Sequence, residues 1–343
     1  MSGAVQALAS ALHGCGATRA LARVAGHVTL GAGRGLRRRV PAFPVLTYHS
    51  VNDDGDPFFP AVSTAVFERQ MAYVAATHRV LTVEELADRM ARGDLPRDAV
   101  AITFDDGYRD NLTHAAPILA RHRLPATIFL ATGFIGSREV PWFDRLAFGI
   151  KRSRVAEVDA PGGGRAGLGS PADRLALLER ATSRLKTLAD DERRREMDTL
   201  LEGLGVAGDP GMKSRMLSWD DVHALAGLGF SVGAHTVTHP ILSRVSDAQA
   251  RREIEGAREA IEAATGTRPR AFAYPNGRPA DYTPSVVDLV RRAGFTCAVT
   301  TRFGVNTPAT SPWELRRGGP WETHLPTFAL KLAWYRLAAD AAA

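Results

Sequence analysis

The sequence predicts an α/β fold, a distorted (β/α) barrel with fewer than eight regular units or an open parallel sheet. Three observations predict it. Short apolar runs rich in β-branched and aromatic residues recur along the chain, helix-period segments separate them, and the apolar runs are continuous rather than alternating with polar positions. A chain of 343 residues, 45% hydrophobic and 23% charged, can bury a core of that size.

Taken in order, Pro44-Val45-Leu46-Thr47-Tyr48-His49 reads as a strand that ends in a histidine and enters a turn at Asn52–Pro57. Ser63 caps a helix running to Thr77, with Phe67, Met71 and Val74 on one face. Val80-Leu81 is extended, and Thr82 with Glu84 and Glu85 opens a helix to about Arg92. Asp98 leads into Ala99–Phe104, a buried strand that stops at Asp105-Asp106-Gly107. Successive strand side chains face opposite ways, so the two carboxylates can serve one site only if the backbone turns there, which Gly107 permits. They could equally cap the helix that begins near Arg109. That helix covers Asn111–His122, and Pro125–Ala131 is the next apolar strand.

Residues 151–217 break the rhythm. Gly162-Gly163-Gly164 and two charged, helix-prone stretches at 172–188 and 190–204 read as an inserted helical subdomain. The regular alternation then resumes. Ser218 and Asp221 form a capping box for a helix at Val222–Leu228, which accounts for Asp220 and Asp221 without chemistry. Gly229–His235 is a strand, Ser246–Ala264 a helix rich in i,i+4 charge pairs, and Ala271–Gly277 a strand with a turn. Pro284–Ala293 is helical, Phe295–Thr300 extended, and Thr327–Ala339 a terminal helix carrying Trp334, Tyr335, Lys331 and Arg336. The domain reading is a basic arm at 1–40, a catalytic domain at 41–325 holding the insertion, and an amphipathic helix at 326–343.

The formal charge of +6 is confined to one end, because residues 1–52 hold six arginines and no acid. The rest is neutral, so the charge argues for an arm that meets an anionic surface such as lipid, and not for nucleic acid. Cys15 and Cys297 lack CxxC partners and are expected as free thiols. No run approaches the ~20 apolar residues of a membrane span, and no basic segment precedes Ala4–Leu12 as a secretory signal requires. The expected location is cytoplasmic, with peripheral contact at the inner membrane face.

His235 and His239 stand four apart at a strand end and in the turn beyond it. With one strand-end aspartate they form the mixed ligand set of a catalytic zinc-like site, which leaves positions open for water and substrate. Such an ion acidifies water and polarises a carbonyl, and the neighbouring aspartate is then placed to take a proton.

Thr103-Phe104-Asp105-Asp106-Gly107, His235-Thr236-Val237-Thr238-His239-Pro240 and Phe272-Ala273-Tyr274-Pro275-Asn276-Gly277 together resemble the first three motifs of the polysaccharide deacetylases, carbohydrate esterase family 4. The resemblance implies a divalent metal, usually zinc, bound by Asp106, His235 and His239, with Asp105 as general base and the Tyr274 backbone N–H at the oxyanion. It also implies removal of N-acetyl groups from amino sugars of a polysaccharide, an oligosaccharide or a lipid-linked glycan. The sequence departs from the commonest pattern at the general acid: in place of a late Leu-x-His it has Leu315-Arg316-Arg317, and His324 lies between Pro320 and Pro326. Some relatives with the Phe-Ala-Tyr-Pro form of the third motif are circularly permuted and take the acid from an early Tyr-His, the position of Tyr48-His49. His49 is therefore expected as the acid, and Arg316 or Arg317 as a partner that orients Asp105. Two rival readings are a glycoside hydrolase using Asp105 and a non-catalytic glycan-binding barrel.

Overall fold

Parallel strand pairing governs the architecture. The computed structural model describes Ser10 and residues 42–206, 215–318 and 322–341; the remainder of the 1–40 arm, with Cys15, and the side chains of Tyr335 and Arg336 lie outside the described residues. β1 (Val45–Tyr48) leads through α1 (Thr64–Thr77) to β2 (Arg79–Leu81), then α2 (Val83–Arg92) to β3 (Ala99–Phe104). A π-turn at Asn111–Ala115 and α3 (Ala116–His122) precede β4 (Thr127–Leu130). The chain then leaves the barrel through α4 (Trp142–Arg152), a hairpin of β5 (Glu157–Asp159) and β6 (Arg165–Gly167), α5 (Pro171–Leu185) and α6 (Asp190–Gly203). It returns with α7 (Trp219–Gly227), β7 (Ser231–Ala234), α8 (Asp247–Thr265), β8 (Ala271–Ala273), α9 (Pro284–Arg292), β9 (Cys297–Val299) and α10 (Leu325–Ala341).

Seven strands make one parallel sheet in the order β1-β3-β4-β7-β8-β9, with β2 paired to β3. The two ends of that order meet through residues 315–318. Leu315 bridges Val299 and Gly318 bridges Leu46, so the short segment closes the sheet into a distorted barrel.

The strand pleat sorts residues between two cores. Val45, Ala99, Ala101, Phe129, Ala271, Ala273, Cys297, Val299 and Leu315 share the inner cluster, closed below by Leu86 and Met90 of α2. Leu46, Val100, Ile102, Phe104, Ile128, Leu130 and Phe272 face outward into the layer beneath the helices. Small residues dominate inside because a narrow barrel leaves little room. The expected caps are present: Ser63 on α1, capping boxes at Thr82–Glu85 and Ser218–Asp221, and Ser246 on α8.

The insertion holds its own core, in which Leu146 and Ile150 of α4 pack with Leu177, Leu185, Met197 and Leu200 and with Phe58 from the loop after β1. Two of its elements went unread in sequence. α4 begins at Pro141 with no side-chain cap, and the glycine run is the turn of the β5–β6 hairpin rather than a structureless break. At the other end of the chain, Phe328, Ala329 and Leu332 of α10 are buried in the main core, with Phe328 edge-on to Tyr73 of α1. Trp334 is exposed.

Candidate active site

The inward alternation along each strand, continued by one residue pair, delivers a functional group to the carboxyl end of the barrel. Val45 faces in and so does His49, four residues on; Ala101 leads to Asp105, Gly233 to His235 and Leu315 to Arg317. This is the end where β/α barrels carry their sites. The Asp105 N–H still donates to Tyr48 O at 3.0 Å, continuing the ladder. Asp106 would then face the helices, but its φ of +73° turns the chain, and its carboxylate reaches His235 and His239.

Asp106, His235 and His239 each offer a ligand atom, all lying within 4.8 Å of one another, and all three are buried. Asp106 Oδ1 is 3.5 Å from His235 Nε2 and 3.4 Å from His239 Nε2. These are too long for good hydrogen bonds, and Oδ1 has no hydrogen-bond partner at all. His235 Nδ1 donates to Ala273 O at 2.7 Å, which fixes the tautomer and leaves the Nε2 lone pair facing Asp106. Burial pushes the His235 pKa down to about 4 and that of His239 well below its ordinary value, so both rings are neutral at neutral pH, the form a metal takes. Burial, with the charges of Asp105 and Asp144, pushes Asp106 up. A buried carboxylate oxygen without a donor, facing two neutral imidazole nitrogens, fits a divalent cation and little else.

The loop that carries His239 is held from outside the ligand set. Glu253 of α8 accepts the Val237 and Thr238 N–H groups, both at 2.8 Å, and the Thr238 hydroxyl at 2.6 Å. Thr132 and Gly133, beyond β4, donate to Thr236 O and Val237 O at 3.1 and 2.9 Å. A Cβ at Gly133 would lie 2.8 Å from Val237 O, so only glycine allows this approach. Phe143 of α4 lays its ring edge-on to His239, centroids 5.2 Å apart.

Asp105 has a different partner. Arg317 grips it in a two-pronged pair, both bonds 2.7 Å, and sends its Nε to Thr300 O at 2.8 Å. Burial alone would raise the Asp105 pKa, but Arg317, with His235 and His49, outweighs it and holds the carboxyl well below the usual range. The expected orienting arginine is thus Arg317; Arg316 points the other way and is exposed. His49 stands at the mouth, its side chain 48% exposed and its Nε2 3.9 Å from Asp105 Oδ2. Crowding by protein atoms lowers its pKa, Asp105 opposes this and Arg317 adds to it; water at the half-exposed ring screens all three. Asn111 Nδ2 secures the loop by donating to His49 O at 2.7 Å.

Tyr274 lies on the outward face. Its ring stacks on Tyr282 at 4.4 Å and its hydroxyl donates to Trp313 O at 3.0 Å. Its backbone N–H donates to Val299 O at 3.2 Å in the β8–β9 ladder, so in this conformation the amide is engaged within the sheet.

A profile of the polysaccharide deacetylase family matches residues 92–298, more than half of the chain. The chain belongs to that family. The match holds the three metal-competent residues and Asp105, while His49 and Arg317 flank it. A Staphylococcus aureus poly-beta-1,6-N-acetyl-D-glucosamine N-deacetylase is 31% identical over 88 residues, 25% of this chain and 30% of that protein. The aligned stretch thus spans about a third of the length of the curated relatives it matches. Among solved structures, the Streptococcus pyogenes deacetylase PplD in complex with acetate superposes with a TM-score of 0.58 at 19% identity, over 86% of this chain and 99% of that one. IcaB from Ammonifex degensii gives 0.58 at 20% identity over 85% and 97%. At these identities the superpositions establish the deacetylase-family barrel, extended past the profile to both flanks.

Proposed function

We propose that the chain is a divalent-metal-dependent hydrolase that removes N-acetyl groups from amino sugars of a polysaccharide, oligosaccharide or lipid-linked glycan. The observation that carries this reading is the convergence of Asp106, His235 and His239 beside a buried, arginine-clamped Asp105. Asp106, His235 and His239 would hold the cation, and a set of two imidazoles and one carboxylate suits zinc. When bound, a zinc-like ion acidifies water and polarises the acetyl carbonyl.

The remaining steps belong to the chain. Asp105, kept ionised by Arg317, takes the proton of the attacking water. A carboxylate with so low a pKa is a weak base, so it accepts only from a strongly acidified donor, which is why it stands next to the ligand set. His49, at the open mouth, gives a proton to the departing sugar amine. Acetate and a free amino sugar result. An oxyanion role for the Tyr274 N–H remains within this proposal as an exchange, in which that donor leaves Val299 O for the developing charge.

The glycan is the proposed partner, and the arginine arm with the exposed Trp334 supports peripheral contact at an inner membrane face. No helix among the described residues is long and apolar enough to cross a membrane. Acetate release from N-acetylglucosamine oligomers, assayed with chelator and after zinc is restored, tests the reading. Full activity in the chelated enzyme or in Asp106→Ala would overturn it.

A further inference from the structure

The insertion is fastened to the barrel at the metal-competent residues. Its first helix, α4, opens with Trp142, Phe143 and Asp144, and each of the three makes a different tie. Pro141 at the N-cap has no N–H, so Asp144, at the third helical position, has no reciprocal amide to accept from as it would in a capping box. Its carboxylate reaches outward instead. Tyr108 donates its hydroxyl to Asp144 Oδ2 at 3.0 Å, with both residues buried. Breaking that bond would leave a buried donor and acceptor unpaired, so the pair resists displacement.

Tyr108 stands two residues beyond Asp106. The turn between them, with φ of +73° at Asp106 and +87° at Gly107, departs from the ladder of β3, and its far side is held by the chain returning from the insertion. Leu217 N–H donates to Gly107 O at 2.9 Å, Arg109 N–H donates to Arg215 O at 2.6 Å, and Tyr108 bridges Met216. Arg215 Nε lies 4.0 Å from Asp144 Oδ2, and its guanidinium covers the Phe59 and Tyr108 rings at 4.1 and 5.5 Å from their centroids. Entrance and exit of the insertion therefore meet on the residue that ends the Asp106 turn.

Phe143 makes the second tie, its half-buried ring edge-on to His239. Trp142 makes the third. Its ring lies under the Arg193 guanidinium at 4.9 Å, Arg193 bonds Asp190, and Asp190 accepts from Gln249 Nε2 of α8 at 3.2 Å. Gln249 is one helical turn from Glu253, which holds the amides of the His239 loop. Contacts that merely attached an outgrowth could fall anywhere on the helical layer. Three consecutive side chains instead lead to the Asp106 turn, to His239 and to the helix that supports the His239 loop.

We propose that Asp144 and Phe143 are positioning residues that set the geometry of Asp106, through Tyr108, and of His239, so that the insertion is a working part of the cation site. The inference rests on the metal reading of Asp106, His235 and His239.

The test measures zinc affinity of the full chain by competition with a chromogenic chelator, together with the visible absorption of the cobalt(II)-substituted protein, which responds to ligand geometry. Asp144→Ala and Tyr108→Phe should each weaken zinc roughly ten-fold or more and change the cobalt spectrum, as loss of a group that orients a ligand does. Both delete the same bond, so the double variant should be about as weak as either single one. Asp144→Asn, whose amide oxygen still accepts from Tyr108, should stay within about three-fold of wild type. Phe143→Ala should also weaken zinc, and its loss should add to that of Tyr108→Phe. Tyr108→Phe removes one hydroxyl and keeps the packing, so it reads the bond even where Asp144→Ala fails to fold. Leu177→Ala loosens the insertion core away from these contacts and controls for general destabilisation: its thermal unfolding should fall while zinc affinity and cobalt spectrum hold. Zinc binding within about three-fold of wild type and unchanged cobalt spectra in Asp144→Ala and Tyr108→Phe would overturn the inference and leave the metal reading intact. Losses no larger than that of Leu177→Ala, or additive losses in the Asp144→Ala, Tyr108→Phe double variant, would overturn it equally. A wild type that takes up neither zinc nor cobalt overturns the metal reading, and this inference with it.

Discussion

Replacing Arg317 by alanine strikes the most tightly built contact of the site. Guanidinium and carboxylate are 1% and 3% exposed and share two bonds of 2.7 Å. Their charge centres are then roughly 4 Å apart, an attraction of about 4 kcal/mol at an effective dielectric near 20. Deleting one partner leaves the other charge buried, at a cost of about 3–5 kcal/mol. The pH dependence should also reverse. With Arg317 present the folded-state pKa of Asp105 lies below its unfolded value, so its stabilisation is complete above about pH 4 and fades as pH falls toward the folded pKa. Without Arg317 burial dominates, the folded pKa rises above the unfolded one, and the variant loses stability as pH increases. Urea unfolding of both proteins between about pH 4 and pH 8 should therefore show a gap that widens with pH and reaches about 3 kcal/mol or more near neutrality. Activity should fall roughly 100-fold or more, since a protonated Asp105 accepts nothing. Arg317→Lys keeps the charge and loses the fork, so it should recover only part of both. A gap below about 1 kcal/mol that ignores pH would refute the reasoning, because exposed pairs behave that way.

Asp106→Asn should abolish acetate release and yet stabilise the metal-free protein: the folded pKa of Asp106 is raised, so the wild type loses stability as pH climbs above the unfolded value and the amide does not. Zinc at about 100 times its dissociation constant should then stabilise only the wild type, by about 2.7 kcal/mol, read as a shift in thermal unfolding. His49→Ala should lower N-deacetylation roughly 100-fold or more while leaving hydrolysis of an aryl acetate within about ten-fold, because a good leaving group needs no acid; equal losses on both would remove His49 from that role. Glu253→Ala frees two part-buried backbone N–H groups in the loop of His239 and should weaken zinc affinity roughly 10–100-fold, measured by competition with a chromogenic chelator.

Much of the barrel was legible because its strands are short apolar runs with strong caps between them, and the site was legible where strand periodicity alone places a residue. Asp105, His49 and His235 each continue an inward series set by Ala101, Val45 and Gly233. Arg317 follows the same rule, but its strand could not be read: Leu315–Gly318 offers one apolar residue, and its pairing to β1 and β9 consists of isolated bridges. Only the inward placement of Leu315 separates Arg317 from Arg316. Glu253 left no local trace, since it sits among Arg251, Arg252 and Glu255 in a helix whose charges already recur at i,i+4 spacing in the sequence, and its partners lie 15 and 16 residues away. Tyr274 shows the converse, because its motif drew attention to a residue whose ring the pleat turns toward the helices.

The ligand residues were legible, but the backbone conformation that presents them was not. Asp106, Thr236 and His239 adopt φ of +73°, +67° and +55°, a region that costs a non-glycine residue about 1–2 kcal/mol and that no helix or strand propensity foretells. Only Thr236 Oγ1 compensates from nearby in sequence, by accepting the His239 N–H at 3.0 Å. The rest of the offset in the 236–239 loop comes from distant groups: Glu253 on the Val237 and Thr238 amides, and Thr132 and Gly133 on the carbonyls of Thr236 and Val237. Two of the three metal-competent residues thus stand where local rules would not put them, and the loop of His239 is held there by side chains and amides from other elements. That arrangement is intelligible if what is being held is the geometry of a ligand set, and relaxation of the loop in Glu253→Ala, with Asp105 and Arg317 untouched, would separate the two halves of the site.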